Sequence, residues 1–171
     1  MLHVTKKLAW LTALVLPGIA AAQTKMSPAL ATIEVTGATL TLTKSSDLRF
    51  PDALAEQGPV KDNGAASWSV ATTQGANLSI SFTLPTALIG PTGNTIPLAY
   101  GSMSGAQTLS PSGFVSFDPS TGTTVMGSNS SGTVYLGQPF TSVGTEFVTA
   151  AVGTVPSGNY SATIVLTIAV L

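Results

Sequence analysis

The last twelve residues, 160–171, alternate between two kinds of side chain and constrain the fold more than any other stretch. A period of two places one set on one face of a β-strand and the more polar set on the other face. The first set is Tyr160, Ala162, Ile164, Leu166, Ile168 and Val170. The run contains no Gly or Pro and half of it is β-branched, which predicts a strand of about 40 Å at roughly 3.3 Å per residue. So long an apolar strand needs neighbours on both edges, because an unpaired edge is a template for another chain.

The N-terminus has the pattern of a bacterial signal peptide. Lys6 and Lys7 precede a short apolar run, and small residues end at Ala22. The apolar run, residues 8–20, is too short to span a bilayer as a helix. We therefore expect residues 1–22 to be removed between Ala22 and Gln23, and residues 23–30 to form a flexible or extended lead-in to one domain, residues 31–171.

The chemistry of the mature chain is sparse. It carries four basic and seven acidic residues, a formal charge of four minus seven, or minus three, which is too few cations for a nucleic-acid footprint. There is no Cys, and the single histidine, His3, lies in the signal peptide. Nucleophile–base pairs with His and zinc sites of the usual composition are therefore excluded. We expect no catalytic residue, no metal site and no cofactor.

Between the signal peptide and the terminal run, alternating apolar segments are separated by turn residues, which predicts an all-β, antiparallel sandwich. We expect Lys44 to Asp47 to form a turn, and residues 52–64 and 101–113 to be loops, because they are rich in Gly, Pro, Ser and Asp. The Tyr160 hydroxyl is predicted to bond back to the backbone at a corner, and Trp68 to be buried rather than a ligand platform. The predicted core residues are Leu40, Leu42, Leu48, Phe50, Trp68, Val70, Leu78, Ile80, Phe82 and Tyr160.

Four segments resemble a bacterial secreted domain-of-unknown-function family, the one numbered 4402. They are residues 31–36 (Ala-Thr-Ile-Glu-Val-Thr), 42–50 (Leu-Thr-Lys-Ser-Ser-Asp-Leu-Arg-Phe), 76–82 (Ala-Asn-Leu-Ser-Ile-Ser-Phe) and 156–168, which begins Pro-Ser-Gly-Asn-Tyr. Pro51 stands where the family usually has Gly. The resemblance implies a signal peptide followed by one pilin-like or immunoglobulin-like sandwich without catalytic activity. A more distant resemblance is to chaperone–usher pilins of the spore-coat-protein-U type, which usually carry a disulfide that this chain lacks.

Two functional hypotheses follow. In the first, the protein is an exported subunit of a cell-surface fibre or adhesive layer of a Gram-negative bacterium, assembled by β-strand addition with the help of a periplasmic chaperone. Ile33 and Val35 would lie on the donated strand, and Ile164, Leu166, Ile168 and Val170 would border the acceptor site. In the second, the protein is a self-complete monomeric sandwich that binds a ligand, such as a carbohydrate, through its loops. Neither hypothesis requires a transmembrane segment in the mature chain.

Overall fold

The computed structural model describes residues 38–56, 58–138 and 147–171. The predicted cleavage site at Ala22 and Gln23, the lead-in and the donor residues Ile33 and Val35 lie outside the described residues. Within them the chain is all-β, as the sequence predicts. The strands are β1 (Leu40–Ser46), β2 (Gly58–Lys61), β3 (Ala66–Thr72), β4 (Leu78–Thr83), β5 (Ala87–Ile89), β6 (Thr95–Tyr100), β7 (Gly105–Ser110), β8 (Gly113–Phe117), β9 (Thr123–Val125), β10 (Ser131–Leu136), β11 (Val148–Val152) and β12 (Val165–Val170). A 3-10 turn, Pro91–Gly93, joins β5 to β6.

The strands form three antiparallel sheets. The five-stranded sheet has the order β1-β3-β10-β7-β8, the four-stranded sheet β2-β11-β6-β5, and the three-stranded sheet β12-β4-β9. An isolated bridge between Ile89 and Ser161 links the end of β5 to the chain that leads into β12. Several neighbours are distant in sequence, as in the pairing of β10 with β3 and of β11 with β2, so the fold depends on long-range pairing.

The main core lies between the five-stranded and three-stranded sheets. Its fully buried side chains come from both layers, with Val70, Leu109 and Val134 on one side and Leu78 and Ile80 on the other. Alternation explains this arrangement, because each of these strands turns every second residue inward. The predicted core residues Trp68, Val70, Leu78 and Ile80 are buried, while Leu48, Phe50 and Phe82 pack against this core in partly buried positions.

Two predictions for strand ends were wrong. Strand β1 continues through Ser46, so Lys44 lies in a strand rather than in a turn, and a register shift between Lys44 and Ser46 absorbs the irregularity. The predicted twelve-residue terminal strand is six residues long, from Val165 to Val170. Before it, residues 160–164 make only the bridge at Ser161. The alternation therefore predicted correctly which side chains of the terminal strand share a face. It did not predict which residues of the segment pair with another strand.

Two predicted loops contain strands. Strand β2 lies within residues 52–64 and occupies an edge of its sheet, a position that tolerates Pro59. Strand β7 lies within residues 101–113 and is largely buried, although it carries the polar Gln107. The Gln107 side-chain oxygen accepts hydrogen bonds from the backbone N–H groups of Leu109 and Ser110, which satisfies it inside the core. Strand β7 was predicted to be a loop because its small and polar residues have a composition that is typical of turns.

Candidate functional site

A cavity of about 1000 Å³ opens between the five-stranded and four-stranded sheets, and we call it the open groove. Its floor is apolar, and the floor residues are Val60, Trp68, Ile96, Leu98, Ala150 and Val152. One wall is formed by the end of β1 and residues 47–55, and the other by residues 155–164, which lead into β12. The groove therefore runs between two lengths of chain that continue into edge strands of different sheets.

The first wall is an unpaired edge. Among the described residues, β1 pairs with β3 alone, and the register places Leu40 opposite Thr72 and Leu42 opposite Val70. Opposite residues in an antiparallel pair share a face, so both leucines lie on the inner face of the sheet. They are nevertheless 37% and 40% exposed. Their assignment to the core was wrong, because no described residue covers the inner face of β1 at this edge.

The second wall leads into another edge strand, β12. Strand β12 pairs with β4 alone among the described residues, and Leu166, Ile168 and Val170 share the inner face with Phe82, Ile80 and Leu78. Leu166 is buried and Ile168 is half-buried, but Val170 is 40% exposed. Ile164 lines the groove itself, just before the strand begins. Of the four predicted border residues, Ile164 alone lines the groove, while Leu166, Ile168 and Val170 lie beyond it on β12, with exposure increasing from Leu166 to Val170.

Tyr160 positions this second wall. Its hydroxyl donates a 2.8 Å hydrogen bond to the backbone carbonyl of Pro156, which is the local bond predicted for it. The ring lies against Gly90, where an added Cβ would overlap the Tyr160 ring atoms. Next to it, Ile89 and Ser161 exchange backbone hydrogen bonds of 2.9 and 3.0 Å. The chain leading to β12 is thus attached to β5 by a turn, a ring contact and one bridge.

Aromatic side chains separate the groove from the main core. Trp68 is buried and its ring centroid lies 5.7 Å from that of Phe82, which in turn stacks on Phe117 at 6.2 Å. Such tilted and stacked pairs add to the stabilisation that burial alone provides. Trp68 is therefore part of the groove floor. Phe50, which lines one wall, packs against both the main core and the buried cluster under the groove.

Charged groups with a structural partner lie at the rim of the groove and behind one of its walls. At the rim, Lys44 Nζ lies 2.7 Å from Asp47 Oδ1, and this hydrogen bond with the lysine lowers the pKa of the Asp47 carboxyl. Behind the wall, Asp62 is 4% exposed and accepts 2.8 Å bonds from the backbone N–H groups of Gln138 and Val148. Burial raises the pKa of Asp62 more than these hydrogen bonds lower it. None of these groups points to a reaction, since each has a structural partner.

The apolar floor was missed by reasoning from sequence. Val60, Ile96, Ala150 and Val152 form a second buried cluster, separate from the main core. Nothing in the spacing of Ile96 or of the residues of β11 marks them as lining a groove. Within the described parts of the chain, no group of three or more His, Cys, Asp or Glu side chains is placed to hold a metal ion. The described residues also include no helix long and apolar enough to cross a membrane.

An unpaired apolar groove between two strand edges has a limited set of chemical uses. Free backbone N–H and C=O groups along an edge can hydrogen-bond to an added strand, and an apolar floor can take alternate side chains of that strand. No protein-family model, no curated protein and no solved structure matches the chain.

Proposed function

We propose that the protein is an exported structural subunit of a surface fibre or adhesive layer, and that its subunits join by β-strand addition. In this proposal the segment containing Ile33 and Val35 of one copy enters the open groove of the next. The observation that carries it is the groove itself, about 1000 Å³, whose two walls continue into the edge strands β1 and β12 of different sheets. Leu40, Leu42 and Val170 lie outside the groove lining on β1 and β12, and an added strand that continued beyond the groove along these edges would cover them, which no described element does.

The donor sequence fits such a site. Residues 31–36 read Ala-Thr-Ile-Glu-Val-Thr, so one face of an extended strand presents Ala31, Ile33 and Val35, and the other presents polar side chains. The apolar face would pack on the floor and the polar face would remain in water. Free energy would come from main-chain hydrogen bonds to the edges and from burial of about 25 cal/mol per Å² of apolar surface.

The proposal also includes where assembly takes place. A signal-peptide pattern and the resemblance to secreted sandwich domains and pilins support export to the periplasm or the cell surface of a Gram-negative bacterium. A subunit with an unfilled groove would associate with the wrong partner during export, because exposed edges and apolar surface promote aggregation. A periplasmic chaperone that covers the groove until a donor arrives would prevent this.

The second candidate is a self-complete monomer that uses the cavity to bind a ligand. The observation in its favour is the cavity volume, which is at the upper end of the range for small-molecule sites, roughly 300–1000 Å³. In that case residues 31–36 would pair within their own sheet and the groove would accept an apolar compound or a carbohydrate. An assay of assembly separates the two candidates.

The test uses the mature chain, residues 23–171, with both donor residues changed, Ile33→Asp and Val35→Asp. We expect the wild-type chain to form polymers in light scattering and the double variant to remain monomeric. A synthetic peptide of residues 23–36 should then bind the variant and raise its unfolding free energy by about 2.7 kcal/mol at a hundredfold excess over the dissociation constant.

The matched control compares substitutions on the two faces of the donor peptide. A peptide with Thr32→Asp changes a residue on the polar face and should still bind, whereas a peptide with Ile33→Asp should not. If the wild-type mature chain is a stable monomer at high concentration, or if the double variant assembles as well as wild type, strand addition is wrong and the monomeric binding module is favoured.

A further inference from the structure

The distribution of charge over the described surface is uneven. The charged residues of the described segments are Lys44, Asp47, Arg49, Asp52, Glu56, Lys61, Asp62 and Asp118. All except Asp118 fall between positions 44 and 62, so most of the surface formed by residues 63–138 and 147–171 carries no charge. An ordinary surface has charges of both signs throughout, and an uncharged surface promotes association.

One sheet surface is uniform in its chemistry. On the outer face of β1, β3 and β10, opposite the buried Trp68 and Val70, almost every side chain is Ser or Thr. We call this surface the hydroxyl face, and its residues are Thr41, Thr43, Ser45, Ser67, Ser69, Ala71, Ser131, Thr133 and, opposite Ser67, Tyr135. A shallow depression of about 360 Å³ lies on it, with Thr41, Thr43 and Ser69 among its lining residues.

Hydrogen bonds between side chains hold the hydroxyl face in order at one end. Ser45 Oγ lies 2.9 Å from Ser69 Oγ, and Ser46 Oγ lies 2.7 Å from Ser67 Oγ, across the β1–β3 pair. Thr41, Thr43 and Ser131 are exposed to solvent. A hydroxyl donates one hydrogen bond and accepts two, and it rotates to suit its partner. The same group can therefore bond to an identical group on another molecule.

We propose that the hydroxyl face is a lateral contact between two copies of this chain, through which neighbouring fibres bundle side by side. Two such faces meet without like-charge repulsion, because neither carries a charged side chain, and the chemistry is self-complementary as a two-fold contact requires. This inference rests on the proposed fibre function for its biological setting, but the contact uses a different surface from the open groove.

The area of the face determines how strong one contact is. Three strands spaced about 4.8 Å apart and about 20 Å long present roughly 300 Å² per copy. A pair of copies would bury about 600 Å², which is below the roughly 1,000 Å² expected of a stable interface. One pair is therefore weak, and bundling becomes strong only when many subunits are held together. Multivalent display of this kind raises apparent affinity by about 10²–10⁴ without any new contact.

The experiment uses beads coated with residues 23–171 in which Ile33→Asp and Val35→Asp prevent strand donation between beads; this otherwise wild-type chain is the reference for every bead measurement, and a coated bead is multivalent although the chain does not polymerise. We expect coated beads to clump, with the extent unchanged between low and high salt. The variant Thr43→Lys with Ser69→Lys places two cations on the hydroxyl face and should reduce clumping at least tenfold at low salt. The matched control is Ser81→Lys with Thr167→Lys, on the outer face of β4 and β12, which should clump as the reference chain does.

The outcomes separate the two proposals. If the hydroxyl-face variant clumps as strongly as the control variant, or if the reference beads stay dispersed, the lateral contact is wrong. Light scattering of the same lysine variants with Ile33 and Val35 intact tests the fibre proposal separately, since lysines on the outer face do not touch the open groove. Polymers without clumping would overturn the lateral contact alone, and clumping without polymers would overturn strand addition alone. Clumping that needs an added neutral polysaccharide would assign the hydroxyl face to a glycan instead of a second copy.

Discussion

The two halves of the sandwich differ in how completely their inner faces are covered. Where the three-stranded sheet lies over the five-stranded sheet, side chains such as Leu78, Leu109 and Val134 are fully buried. Where the four-stranded sheet lies beside β1, the apolar floor borders an open groove of about 1000 Å³. The same alternation of apolar residues occurs in both halves. The halves therefore differ in whether a described strand covers the inner face, and not in their sequence pattern. Among the described residues, no strand covers the inner face of β1 in the open half.

The largest expected effect compares one residue from each half. Ile80→Ala removes a side chain that is 1% exposed and should lower the unfolding free energy by about 2–5 kcal/mol, since a cavity remains in a packed core. Leu42→Ala removes a side chain that is 40% exposed and should cost about 1 kcal/mol or less. Urea unfolding of both variants measures the difference.

Assembly sharpens this comparison. In polymers, Leu42 would be covered by the donated strand, so the cost of Leu42→Ala should rise toward that of a core residue when unfolding is measured on the assembled protein. Equal losses of unfolding free energy for Ile80→Ala and Leu42→Ala in the monomer would contradict an uncovered inner face of β1.

The next effect concerns the contact that positions the second wall. Gly90→Ala places a Cβ in the volume of the Tyr160 ring, and relief of this overlap should cost about 1–3 kcal/mol and displace residues 156–161. The matched control is Gly153→Ala, where an added Cβ meets nothing within 4 Å and the backbone is not in the left-handed region. Thermal unfolding should separate the two variants. If they melt together, the ring contact does not hold this wall.

The closed half could be predicted from the sequence and the open half only in part. Leu78 and Ile80 alternate with serines in an unbroken run, so their faces follow from the pleat alone. Leu40 and Leu42 alternate equally well, yet burial depends on what lies opposite them, and that is a tertiary property. The floor residues Val60 and Ala150 come from strands far apart in the chain, so no local pattern could place them together. Ile164 lines the groove and belongs to the same alternating run as Leu166, so the pleat accounts for its inward direction.

The smallest effects come from two carboxyl groups with opposite pH dependence. Burial raises the pKa of Asp62 above its ordinary value of 3.8, so its contribution to stability is largest at low pH and decreases as pH rises through the raised value. The hydrogen bond with Lys44 lowers the pKa of Asp47, so its contribution is present at neutral pH and is lost as pH falls through the lowered value.

Substitution by Asn therefore gives opposite slopes. Asp62→Asn should cost about 1–3 kcal/mol, because the amide nitrogen cannot accept the bond from Gln138 or Val148, and the loss relative to wild type should be greater at pH 4 than at pH 7. Asp47→Asn, at the exposed rim, should lower the unfolding free energy by less than Asp62→Asn does. This loss relative to wild type should become smaller toward low pH. Urea unfolding of the three proteins between pH 3.5 and about 7 checks both slopes. Parallel slopes would mean that Asp62 is as hydrated as Asp47, and that the wall behind the groove is as open as the groove itself.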